Sequence, residues 1–119
     1  MAAKKKPLKA RQAAQGDPRF DRVVEAFATE PKVSRGGRKG FGAGALKVNG
    51  KIFAMMSSKG EFVVKLPKAR VDQLVDGAQG RRFDSGQGRL MREWLVVNVA
   101  KKAWVELARE AYKFVKRRA

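Results

Sequence analysis

Hydrophobic and polar positions recur along this chain in two rhythms, and each change of rhythm marks an element. Phe20, Val23, Val24, Phe27 and Ala28 fall at helical spacing behind Asp17-Pro18. That pair is an aspartate cap followed by a proline at the first helical position, where its missing N–H costs nothing. Pro31 limits the helix. Residues 34–44, Ser-Arg-Gly-Gly-Arg-Lys-Gly-Phe-Gly-Ala-Gly, read as a glycine-rich loop. The period then shortens to two. Asn49-Gly50 suits a type I′ turn, which needs positive φ at both positions, and joins Ala45–Val48 to Lys51–Met56. Such a turn predicts Val48 opposite Lys51 and Leu46 opposite Phe53, with Leu46, Val48, Phe53 and Met55 on one face. Ser58-Lys59-Gly60 turns the chain into Glu61–Leu66, where Phe62, Val64 and Leu66 alternate with Glu61, Val63 and Lys65. The result is a three-stranded meander.

Pro67 opens a short helix with Val71, Leu74 and Val75 on one side, and Gly77 is the expected left-handed cap. Phe83 marks a brief strand. Leu90–Val97 is apolar at nearly every position except Arg92 and Glu93, which suits a central strand covered on both faces or nearly so. A last helix over about Ala100–Arg117 carries Trp104, Leu107, Ala108, Ala111 and Val115 on one stripe. The order α-β-β-β-α-β-β-α predicts a single α+β domain with an antiparallel-rich five-stranded sheet. It spans residues 17–119, behind a disordered basic tail over 1–16 in which Leu8 is the one large apolar residue.

Composition sharpens this picture. At 119 residues, 44% hydrophobic and 33% charged, the chain has the length and make-up of one globular domain. Lys and Arg number 28 against 11 Asp and Glu, a formal net charge of +17, which favours polyanionic partners. The excess concentrates in the tail, in the 31–39 loop and in the last helix. With neither Cys nor His there is no disulfide, no thiolate nucleophile, no imidazole base and no Cys/His zinc site. No apolar run approaches the roughly 18 residues that span a bilayer. The basic start lacks a following apolar stretch and does not read as a secretory signal, so a cytoplasmic location is expected.

Several segments together resemble a known family. They are Lys39-Gly40-Phe41-Gly42, Leu46-Lys47-Val48-Asn49-Gly50-Lys51-Ile52-Phe53-Ala54-Met55, Val64-Lys65-Leu66-Pro67, Phe83-Asp84-Ser85-Gly86, Met91-Arg92-Glu93-Trp94, and Trp104 with Ala111-Tyr112. Over about Asp17 to Val115 the chain resembles the N-terminal domain of the TfoX/Sxy family and, more distantly, the YjbR (MmcQ) family. The resemblance implies a small α+β fold, a link to competence regulation through TfoX/Sxy, and DNA binding as ascribed to YjbR-like proteins. It supplies no catalytic residues. Gly40 stands where the family commonly has Met before its Phe-Gly pair, and the expected single domain contrasts with the two domains of full-length competence regulators.

The candidate site residues are cations. Arg35, Arg38 and Lys39 flank glycines whose backbone N–H groups can approach phosphate, although neither a Walker loop nor a dinucleotide fingerprint is present. Lys4, Lys5 and Lys6 form an arm for a nucleic-acid backbone or, alternatively, a solubilising tail. Lys113, Lys116, Arg117 and Arg118 crowd the end of the last helix, where they complement its dipole. Trp94, Trp104, Phe53 and Phe62 fit core packing better than base stacking, and Phe41 either stacks on a base or plugs the core's edge. Ser57, Ser58 and Ser85 have no His to activate them. Asp72 and Asp76 share a helix face but make a poor cation site, and Lys65 is expected in solvent. These readings favour a non-enzymatic nucleic-acid-binding domain, for DNA or RNA, held by phosphate contacts. A protein-interaction module, pairing the meander's edge with a partner or a second copy, is the alternative. Neither cofactor, metal, membrane nor small-molecule substrate is expected.

Overall fold

The computed structural model describes residues 18–37, 44–57, 59–84, 90–98 and 102–118. Within them lie helices α1 (Pro18–Ala26), α2 (Lys68–Asp76) and α3 (Lys102–Arg118) and strands β1 (Val33–Arg35), β2 (Leu46–Val48), β3 (Lys51–Met56), β4 (Phe62–Lys65), β5 (Gly80–Asp84) and β6 (Leu90–Val97). The strands form one antiparallel sheet in the order β1-β2-β3-β4-β6-β5. It is an α+β domain, but the sheet has six strands rather than the five expected from sequence.

The additional strand is β1, which runs into the segment expected to be a glycine-rich loop. Three residues are too few to show a period, and β1 exists because β2 is there to pair with it: Val33 faces Val48 and Arg35 faces Leu46. The ladder runs on through Gly36 N–H to the Ala45 carbonyl at 2.7 Å and Gly44 N–H to the Gly37 carbonyl at 2.8 Å. Both ends of the glycine-rich segment are therefore strand-paired.

The Asn49-Gly50 turn has positive φ at both residues, 53° and 81°, and Val48 does face Lys51. The next pair, Lys47 with Ile52, also keeps the expected register, which fails only at Leu46. Leu46 lies opposite Ala54, with a bulge that leaves Phe53 and Ala54 in the same core cluster and turns Met55 to the other face. Because Ile52 to Met56 is apolar at every position, no polar residue penalised the slip. A second correction concerns the end of α2. Gly77 has φ −84°, and the left-handed residue is Ala78 at 62°. The Ala78 N–H bonds to the Val75 carbonyl and the Gln79 N–H to the Leu74 carbonyl. That is a Schellman pattern, set one residue later than glycine placement suggested.

All three helices contribute to one face of the sheet. Phe20 and Val23 of α1, Val71 and Leu74 of α2, and Trp104, Leu107, Ala108, Ala111 and Val115 of α3 close over Leu46, Phe53, Phe62, Val64, Leu66, Leu95 and Val97. Phe62 stacks on Trp104 with ring centroids 4.3 Å apart, and Phe53 meets Phe27 and Tyr112 at 5.1 and 5.6 Å. Each such buried side chain contributes about 1.5–3 kcal/mol. Arg70 grips Glu110 through two hydrogen bonds of 2.9 and 3.1 Å and fastens α2 to α3. The Tyr112 hydroxyl donates to Glu30 at 3.0 Å. Gly80 permits a close approach of β5 to β6, since a Cβ there would overlap the Val96 carbonyl oxygen and sit 2.8 Å from Leu95 Cδ1.

The opposite face carries a smaller cluster of Ala45, Met55, Val63, Phe83 and Val96, fringed by Ile52, Met91 and Trp94, with no helical residue in it. Leu90–Val97 is thus covered on both faces only towards its end. Leu95, Val96 and Val97 are buried, Trp94 is half-buried and Leu90 is 56% exposed.

Candidate nucleic-acid interface

Strand β4 stops at Lys65, where Pro67 sends the chain into α2, and this leaves a notch between the β2–β3 hairpin and β6. An open groove of about 440 Å³ lies there, lined by Lys47, Gly50, Lys51, Ile52, Lys65, Trp94, Val115 and Arg118. Alternation supplies most of the lining. Lys47 stands between buried Leu46 and Val48, and Lys65 follows buried Val64, so both point away from the helices. Lys51 opens β3 directly after the turn and is exposed. Lys65 and Trp94 are cross-strand partners, with the Lys65 ammonium 5.3 Å from the indole centroid. Lys65, expected in solvent, is half-buried against that ring.

The last turn of α3 forms the remaining wall. Arg118 continues the helix's inward stripe past its last core residue, Val115, and its Nη1 reaches both Glu93 oxygens at 3.0 and 3.1 Å. Its guanidinium also lies 5.1 Å from the Phe114 ring. Among the described residues, Lys47, Lys51 and Lys65 have no carboxylate partner, and the groove lining contains no acid.

The cations singled out from sequence divide. Arg118 is in the groove. Lys113 and Arg117 lie exposed on the outer stripe of α3 with Arg109, and Lys116 sets its ammonium 5.4 Å from the Tyr112 ring. Arg35 is engaged locally: its Nε donates to the Gly44 carbonyl at 2.7 Å and its guanidinium lies 5.8 Å from the Phe20 ring. Partial dehydration there lowers its pKa, with Asp21 acting in the opposite sense. Lys4, Lys5, Lys6, Arg38, Lys39 and Phe41 lie outside the described residues. Of the four aromatics assigned to the core, Trp104, Phe53 and Phe62 are buried there, whereas Trp94 borders the groove.

Sequence reasoning missed Lys47, Lys51 and Lys65. A usable signal existed: a lysine on the polar side of each of two strands, beside the hairpin turn, with a tryptophan in a later strand. Asp72 is committed to Arg82 and Lys68, and the hydrogen bonds from Arg82 first and Lys68 second hold its carboxyl below the ordinary value. Among the described residues no cluster of three Asp, Glu, His or Cys side chains is placed to hold a metal ion, and no helix is long and apolar enough to cross a membrane.

Neither a family model, nor a curated protein, nor a solved structure matches this chain. The resemblance to TfoX/Sxy rests on the sequence motifs alone.

Proposed function

We propose that this chain is a non-enzymatic basic domain that binds nucleic acid through phosphate contacts, in a regulatory role similar to that of TfoX/Sxy or YjbR-like proteins. The observation that carries the reading is the convergence of Lys47, Lys51, Lys65 and Arg118 on one acid-free groove. Arg118 is already neutralised by Glu93, so the three lysines supply the available charge. Arg109, Lys113 and Arg117 form a separate exposed cationic stripe on the outer side of the helix whose last turn walls the groove. Such an array favours a polyanion of repeating charge and reads little sequence.

Fluorescence anisotropy of labelled duplex DNA, single-stranded DNA and RNA across a salt series tests this. The full chain is compared with one lacking residues 1–16 and with the triple variant Lys47→Gln, Lys51→Gln, Lys65→Gln. Binding should weaken log-linearly with salt, and the triple variant should flatten the duplex slope by about 2–3, close to 0.9 for each phosphate that is no longer neutralised. An unchanged slope in the triple variant removes the groove from the interface. Absence of binding by every form at moderate salt overturns the reading.

A further inference from the structure

The groove holds something that phosphate neutralisation does not require. Trp94 is half-buried, packs against the cluster on the sheet face away from the helices, and lines the groove with Lys47, Lys51 and Lys65, which have no carboxylate partner among the described residues. The indole packs against the smaller apolar cluster, as Ile52 does, and the Lys65 ammonium lies 5.3 Å from its centroid. We propose that this groove takes single-stranded nucleic acid, with one unpaired base stacked on Trp94 and the adjoining phosphates held by Lys47, Lys51 and Lys65. This rests on the nucleic-acid reading above and adds its substrate class.

Duplex and single strand offer different groups to such a groove. A duplex presents phosphates along its length, but its base faces are already stacked on one another. A lone indole in a notch of about 440 Å³ therefore gains nothing from it beyond the charge term. An unpaired base can turn its π face to the indole. Lys65 is suited to the exchange, because it can swing its ammonium from the ring to a neighbouring phosphate. A cation–π contact is then replaced by a charge-assisted one, while the base takes the vacated ring. Base–aromatic stacking typically strengthens binding by about 5- to 150-fold per base, so selectivity within that range is expected from a single platform.

The test uses the full chain and three unlabelled probes: a 12-nucleotide oligo-dT, the matching oligo-rU, and a blunt 12-base-pair duplex. Intrinsic fluorescence reports the contact, because Trp104 is 4% exposed in the core and serves as an internal reference. The single strands should quench emission and the duplex should not, and Trp94→Phe should abolish the quench. Affinity is then compared in Trp94→Phe, which keeps a stacking face, and Trp94→Leu, which keeps bulk without one. Trp94→Leu should lose about fivefold or more on single strands and less than about twofold on duplex, whereas Trp94→Phe retains most of the single-strand affinity. Circular dichroism confirms that each variant is folded. Equal losses on all three probes, or a quench that survives Trp94→Phe, overturn this inference while leaving phosphate binding intact. Failure of every probe to bind overturns both. The oligo-dT and oligo-rU arms separate a DNA ligand from an RNA one.

Discussion

One sheet presents two unlike faces. Against the helices, the inward strand residues build the main core, and three arginines fasten elements to one another: Arg70 to Glu110, Arg82 to Asp72, and Arg118, at the groove's edge, to Glu93. Away from the helices the apolar cluster is small, and at the β4 end it gives way to Lys47, Lys65 and the indole of Trp94. Charge that is available differs from charge that is merely abundant. A cation folded into an inter-element pair has its field largely cancelled, as Arg81 on the helix-free face has by Glu61, while one without a carboxylate partner keeps it. A net charge of +17 therefore says less about the interface than three lysines that, among the described residues, have no carboxylate partner.

The sharpest way to break this comparison is to substitute adjacent residues of β3 that point to opposite faces. Phe53→Ala removes a fully buried ring that meets two other aromatics and should cost about 3–5 kcal/mol in urea denaturation. Ile52→Ala, half-buried on the groove side, should cost only about 1–2 kcal/mol. Equal costs would mean that both faces carry the stability and that the division drawn between them is wrong. Next in size is Gly80→Ala, where the new methyl would press into the Val96 carbonyl and Leu95. A loss of about 1–3 kcal/mol, seen as a lowered Tm, is expected, with nucleic-acid affinity unchanged where the variant remains folded.

The smallest effect sharpens the comparison through pH. Asp72 receives hydrogen bonds from Arg82 and Lys68, so its folded pKa lies below its ordinary value of 3.8. A depressed carboxylate contributes stability that is fully present above the ordinary value and is lost as pH falls through the lower, folded one. Tm measured from about pH 5 down to pH 2 should fall less steeply in Asp72→Asn than in the parent. Identical acid limbs would show that the α2–β5 fastening carries no weight.

Much of the fold was legible because burial imposes a period. The stripe Trp104, Leu107, Ala108, Ala111, Val115 is buried throughout, and Asn49-Gly50 makes the turn its chemistry requires. Legibility failed where the pattern carried no penalty for error. Val33–Arg35 is too short to have a period, Ile52–Met56 is apolar in either register, and Ala78 adopts a left-handed conformation beside a glycine that does not. The site was less legible still. The basic segments were visible as charge runs, but of their members among the described residues only Arg118 reaches the groove.

Local composition and periodicity determined by themselves that the chain is an α+β domain with a strong positive excess and no Cys or His chemistry, since those properties depend on residue type and near-neighbour spacing. Tertiary structure alone decided that Lys47 and Lys51 of one hairpin, Lys65 of the next strand, Trp94 of β6 and Arg118 of the last helix share a groove. Their separations in sequence reach across most of the domain. Such contacts follow from strand order and from where β4 ends, which no local rule specifies.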